Sequence, residues 1–289
     1  MNKDTVITYA AGGNSVVFHA AYGSPIWVTS IDGASANDIE LSETQGVGQV
    51  GATLAAQSIQ PKDITVDGAV IAGLEENRRA ILACVLPGVV GRLTVTQGGE
   101  SWYIEGAPTR TPEFSDGTAV QNFQFTLHCS YPYWRSGQDQ NAIIAGIEKL
   151  FEFPCSLAGT WWISKYTSSL LTTVYNNGYV PIEFDLVLRA ITQVTNPEVY
   201  HVEAGTYIKI NKVVEVGEII TVSTVYGRKG VTLVDADGVE RNGFRYLDPG
   251  SDLGMQLAPG ANTIRYDAED NREGLQVKIL APKGVVAGL

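Results

Sequence analysis

Chemistry in this chain starts from few candidates. His19, His128 and His201 are the only imidazoles, so a Ser–His or Cys–His couple must use one of them. In the alternating run Asn122–Cys129, Phe123, Phe125, Leu127 and Cys129 share one face and Asn122, Gln124, Thr126 and His128 the other, so His128 and Cys129 point apart. No G-x-S-x-G elbow occurs. Glu183 and Asp185 lie two apart in a second alternating run, Ile182–Arg189, at roughly 7 Å by strand rise, which is within the range of a glycosidase pair. Alternation nevertheless puts both on the solvent face, opposite Ile182, Phe184, Leu186 and Leu188, where acids are ordinary. The acid clusters Asp235–Gly238 and Asp267–Glu273 lack the order of a calcium loop, and Gly227-Arg228-Lys229-Gly230 lacks phosphate-loop spacing. Cys84, Cys129 and Cys155 are odd in number with no C-x-x-C spacing, so they read as reduced, buried thiols without a metal. Aromatic residues Trp161, Trp162, Tyr166, Tyr175 and Tyr179 cluster around one expected hairpin and suit either stacking on a sugar or burial at an interface. No catalytic, cofactor or metal site is expected.

The elements that would carry these residues are mainly strands. Two-residue periodicity recurs at Leu93–Val95, Trp102–Glu105, Tyr207–Ile210, Ile219–Thr224, Val231–Val234, Ile264–Tyr266 and Leu275–Leu280. Between them sit Asp32-Gly33, Asp67-Gly68, Gly98-Gly99, Asp116-Gly117, Asn177-Gly178 and Asp237-Gly238, dipeptides suited to the positive φ of tight turns. Antiparallel sheets follow. One helix is expected over Leu74–Leu86, packing through Leu74, Ile81, Leu82, Val85 and Leu86 and stopped by Pro87-Gly88. Ile143, Ile144, Ile147 and Leu150 give a weaker helical pattern over Gln140–Leu150. The polar Ser136–Gln140 segment marks a boundary between two β domains, 1–136 and 137–289. Glu40–Gln60 stands apart: small residues around Gly46, Gly48 and Gly51 and no basic residue predict a long flexible excursion, which is usually functional or disordered.

Composition narrows the functions further. The 289 residues are 44% apolar and only 18% charged, and the net charge is −11. The first 77 hold only Lys3 and Lys62 against nine acids, a field that repels phosphate and disfavours specific nucleic-acid binding. The start lacks the basic-then-apolar pattern of a secretory signal. No apolar run reaches a membrane-spanning length, so synthesis in the cytoplasm without membrane insertion is expected.

The order of motifs resembles the distal tail proteins of long-tailed phages and of related tail-like particles. The matching run is the strand Ile64–Val66; Arg78, Arg79, Leu82, Leu86 and Pro87; the hairpin Leu93–Ile104; Gly106–Phe114; and Phe123–Cys129 closing on Tyr131-Pro132-Tyr133-Trp134. It continues with Phe153-Pro154, Asn177-Gly178 before Pro181, Asn196-Pro197, Leu257–Ile264, Pro282 and Gly284-Val285. The resemblance spans most of residues 60–285. It implies a hexameric ring built by the N-terminal β domain and a galectin-like C-terminal β-sandwich. The implied place is the tail tip or baseplate of a virion. The ring would join the tail tube protein to a hub, fibre or tape-measure protein and anchor receptor-binding parts. A carbohydrate-binding module using Trp161, Trp162 or Tyr166, and a glycosidase using Glu183 and Asp185, are the alternatives.

Overall fold

The computed structural model describes residues 4–21, 23–149, 164–168 and 171–289, the side chains of 139–141, 143–149 and 164–168 excepted. It divides into two compact units, residues 1–138 with 285–289, and residues 139–284. The chain therefore passes between units twice, where a single boundary at 136/137 was expected; pairing of Val285–Val286 with Trp134–Arg135 returns it to the first unit.

Unit 1 contains β1 (Val6–Ala11), β2 (Asn14–His19), β3 (Ile26–Asp32), β4 (Ile39–Thr44), β5 (Thr53–Ile59), β6 (Lys62–Val70), α1 (Leu74–Cys84), β7 (Gly91–Gln97), β8 (Glu100–Pro108), β9 (Glu113–Phe114), β10 (Gln121–Cys129) and β11 (Trp134–Ser136). Neighbours run β8-β7-β1-β2-β3-β6-β10, and a further β8–β10 pairing closes these seven strands into a barrel. Closure removes the open edges that invite aggregation. Every pairing is antiparallel except β2–β3, parallel at the single pair His19↔Trp27. The six residues between those strands are too few for a longer parallel ladder.

Alternation is what fills the barrel. Ile7, Tyr9, Phe18, Ile64, Val66, Leu93, Phe125 and Leu127 are all essentially inaccessible, and Phe18 meets Phe123 and Phe125 at centroid separations of 5.6 and 5.9 Å. Gly68 was expected in a turn but lies inside β6. A Cβ there would sit 2.4 Å from the Phe123 ring and 2.5 Å from the Trp27 carbonyl, so the absent side chain makes room for β10. Positive φ is found at Gly33, Gly98, Gly99 and Gly238, but not at Gly68, Gly117 or Gly178.

The helix ends at Cys84, two residues earlier than expected. Ile81 and Val85 are fully buried, Leu74 and Leu82 half-buried, and Leu86 is 43% exposed, because the chain has already left the helix and turned away from the core. The expected excursion is an ordered hairpin, β4–β5, forming its own two-stranded sheet.

Unit 2 contains β12 (Asp139–Lys149), β13 (Ser164–Ser168), β14 (Leu171–Asn176), β15 (Asp185–Ala190), β16 (Val194–His201), β17 (Thr206–Lys209), β18 (Val213–Val214), β19 (Ile219–Ser223), β20 (Gly230–Val234), β21 (Glu240–Asn242), β22 (Gly260–Asp270) and β23 (Leu275–Pro282); β24 (Val285–Val286) belongs to unit 1. One sheet runs β13-β12-β23-β15-β19-β20-β21 and the other β14-β22-β16-β17, with β18 on β16. Each turns alternate residues inward, for example Leu186, Leu188, Val277 and Ile279 in the first and Val199, Ile264 and Tyr266 in the second, as in a β-sandwich. The helical pattern over Gln140–Leu150 is overturned: the segment as far as Lys149 is strand β12, held by β23 on one side and β13 on the other.

Ile81→Ala should cost about 2–5 kcal/mol, as emptying a buried aliphatic site does. Leu86→Ala should cost less than about 0.5 kcal/mol, as at exposed positions. Urea unfolding of both variants checks the pair.

Candidate assembly interface

The β4–β5 hairpin is exposed along its whole length. Its register sets Ile39 opposite Ile59 and Leu41 opposite Gln57, with a bulge before Glu43↔Leu54. Alternation and the bulge together therefore gather Ile39, Leu41, Leu54 and Ile59, with Glu43 and Gln57 among them, on one mainly apolar face and Glu40, Ser42, Ala56 and Ser58 on the other. The four apolar side chains are 45–55% exposed, and Val47 and Val50 at the tip are bare. An amphipathic ribbon with no protein under its apolar face is a surface built for contact.

Its root, by contrast, is clamped. Lys62 shares the parity of Ile64 and Val66 and so points inward; it is only 7% exposed. Its Nζ donates to the carbonyls of Ala34 (3.3 Å) and Ala287 (3.2 Å) and lies 5.8 Å from the Trp134 ring centroid. Trp134 Nε1 also donates to Ala34 O at 2.9 Å, and Asn37 Nδ2 donates to Ala287 O at 2.7 Å. Gly33 bends the chain at φ +80°, where a Cβ would fall 2.1 Å from the Asp63 carbonyl oxygen. Residues 285–289 thus close over the strand of chain that leads into the hairpin. Burial lowers the Lys62 pKa, while Cys129, its register partner on β10, pulls it back up. The Cys129 thiol is itself pushed up to about 12, mainly by burial.

The residues singled out from sequence scatter. His128 is exposed and pairs with Asp63 Oδ1 at 2.8 Å, whereas Cys129 is buried and free, so the two do face apart. Cys84 is also buried and free; Cys155 lies outside the described residues. His201 is buried, its Nε2 on Asn262 Oδ1 and its Nδ1 accepting from Ala204 N–H. Glu183 is not on a solvent face: it is 6% exposed, because β15 begins only at Asp185 and Ile182 bridges Leu257 before it. Asp185 accepts from Arg228 at 2.8 Å. With one acid buried and the other paired to an arginine, they do not flank an open cleft. Trp161 and Trp162 lie outside the described residues, and Tyr166 is on β13 opposite Ile147. Tyr175 and Tyr179 are exposed. Among the described residues no group of three or more His, Cys, Asp or Glu could hold a metal ion, and no helix is long and apolar enough to cross a membrane.

Sequence reasoning missed the clamp. One signal was available: Lys62 is the only Lys or Arg between Lys3 and Arg78, and it sits on the apolar parity of its strand.

The class defined by these features is a closed β-barrel bearing one helix and an exposed ribbon, with a second β unit carried between β11 and β24. No protein-family model matches the chain, and no curated protein matches it. Solved structures do. The crystal structure of the SPP1 Dit protein, described as a paradigm of the hub adsorption apparatus in Gram-positive infecting phages, is similar over 96% of this chain and 98% of its own, with TM-score 0.64 and 15% identity. The phage P2 baseplate in its activated conformation matches with calcium at TM-score 0.54 and 12% identity, and with strontium at 0.54 and 10%, each over 96% of this chain and 97% of that chain. The chain has the fold of these phage hub and baseplate proteins.

Lys62→Met should loosen the hairpin root, so that amides of residues 34–59 exchange hydrogen faster while those of β1 and β10 keep their protection; unchanged exchange across 34–59 would refute the clamp. The alkaline behaviour has a definite sign. The Cys129 thiol ionises near 9 when unfolded and at about 12 when folded, so the stability it contributes is complete below pH 9 and is lost as pH rises from 9 to 12. Lys62, lowered in the fold, opposes this by favouring the folded state as pH climbs towards its ordinary 10.5. Cys129→Ala should therefore shrink the drop in urea midpoint between pH 8.5 and pH 11, and an undiminished drop would rule that assignment out.

Proposed function

We propose that this protein is a non-enzymatic structural component of a phage tail tip or baseplate. Unit 1 forms a hexameric ring and unit 2 is a galectin-like sandwich. The ring joins the tail tube protein to a hub, fibre or tape-measure protein and anchors receptor-binding or other baseplate parts. The protein is made in the host cytoplasm and ends in the virion. The observation that carries the reading is the hairpin, an ordered apolar ribbon that the rest of unit 1 holds out at its root and leaves bare along its length. The fold shared with hub and baseplate proteins supports the same reading.

Energetics fit association of copies. Covering what remains exposed of Ile39, Leu41, Leu54 and Ile59 is worth roughly 1 kcal/mol per side chain by area, modest for one contact. In a closed ring no copy leaves without breaking two interfaces, which multiplies the effect of each. Subunits joined head to tail close into a ring when the rotation per subunit is right.

The wild-type chain should sediment as a hexamer, or become one on adding tail tube protein, and negative-stain images should show sixfold rings. Leu41→Asp should shift the mass to monomer with the far-ultraviolet circular dichroism unchanged. A wild-type chain that stays monomeric under all conditions and binds no tail component overturns the reading.

A further inference from the structure

The ribbon needs a seat, and unit 1 has one prominent candidate. Among the described residues of unit 1, twelve large apolar side chains are exposed; six lie on Ile39–Ile59 and three more, Leu86, Val89 and Val90, on the loop between α1 and β7. That loop borders a shallow groove of about 420 Å³ lined by the Ala10–Ser15 turn, Val90, Gly91, Arg92 and Glu105. Its floor is made of small residues, Ala10, Ala11, Gly12 and Gly13, over which a strand can approach closely.

Residues 38–60 carry Asp38, Glu40 and Glu43 with no base, and the groove holds Arg92, which shares it with Glu105. Arg92 meets Glu105 at 3.0 Å and stacks over Tyr103 at 4.1 Å, but the bridge is solvent-exposed, so exchanging Glu105 for an acid of another copy costs little.

Within one chain the two surfaces do not meet. The ribbon leaves at the Lys62 end of β6 and α1 follows the Val70 end, eight residues apart and so about 27 Å at the usual strand rise. The end of α1 is tied to the far turn, where Asn14 Nδ2 donates to Ala83 O. An apolar, acidic projection at one end of β6 and an apolar groove beyond the other have the layout that a heterologous contact requires.

We infer that the β4–β5 ribbon of one copy seats its Ile39–Leu41–Leu54–Ile59 face on the Leu86–Val90 loop and adjoining groove of the next copy. This rests on the ring reading and names the surface that receives the ribbon. Complementation of two full-length variants tests it. The first, Leu41→Asp with Leu54→Asp, lacks a competent ribbon and keeps the seat; the second, Val89→Asp with Val90→Asp, lacks the seat and keeps the ribbon. Each alone should be monomeric by sedimentation velocity, with circular dichroism matching wild type. Mixed one to one, they retain a single functional contact per pair and no ring closure, so assembly should stop at a heterodimer, populated only at about millimolar protein. Oxidation of Leu54→Cys/Val90→Cys in a Cys155→Ser background should give a covalent ladder ending at six, absent from either single variant.

A seat variant that still assembles as wild type, with no ladder from the cysteine pair, overturns the inference and leaves the ring reading standing. A wild-type chain that never assembles overturns both. A cysteine pair that gives no ladder while wild type forms hexamers overturns the pairing of these two surfaces.

Discussion

A two-stranded ribbon does not hold itself together in water. It has one layer, no core and two open edges, and every hydrogen bond along it competes with solvent. That constraint governs this chain between Ile39 and Ile59. The ribbon is ordered because its root is anchored, and the anchor uses the most expensive group available for the purpose, a buried ammonium. Lys62 is tolerated there because two carbonyls and an aromatic face replace its water. With three donors on one atom, the ammonium holds Ala34 and Ala287 at a single point.

The rest of unit 1 follows from making that point rigid. Ala34 is reached by the indole N–H of Trp134 as well as by Lys62, and Trp134 is placed by β11, which pairs with β8 on one side and β24 on the other. β8 in turn pairs with β10 to close the barrel. The carbonyl at the base of the ribbon is thus connected through a few hydrogen bonds to the most buried part of the fold. Once the barrel edges are satisfied, the two-stranded ribbon is left with both of its own edges open.

How much of this could be read from sequence depends on whether the determinant is local. β10 was legible because each of Phe123, Phe125, Leu127 and Cys129 is buried for the same reason, alternation on one strand. β12 was misread because Ile143, Ile144 and Ile147 satisfy a helical spacing, and only the partners β23 and β13, far away in sequence, decide for strand. Glu183 failed for a related reason: alternation assigns a face only where the strand has begun, and it begins at Asp185. Leu86 was assigned to a helix that had already ended. The hairpin was visible as an anomaly of small, unbasic residues, but not as a ribbon, since Ile39, Leu41, Leu54 and Ile59 are brought to one face by a register and a bulge that composition does not encode. The clamp was hidden for the plainest reason. Lys62 and Ala287 are 225 positions apart.

That separation bears on how the two units are coupled through the chain. Unit 2 occupies everything between β11 and β24, and β24 leads into the residues that hold the ribbon's root. Asn37, on the approach to β4, reaches the same Ala287 carbonyl as Lys62 does. Gly288 leaves no room for a side chain, since a Cβ there would lie 2.3 Å from the Ser35 carbonyl oxygen. The ribbon is therefore fully supported only after β24 has paired with β11, which requires the whole of the inserted unit to have been synthesised. Building the root from residues on both sides of the inserted unit makes the ribbon's support depend on chain that follows that unit.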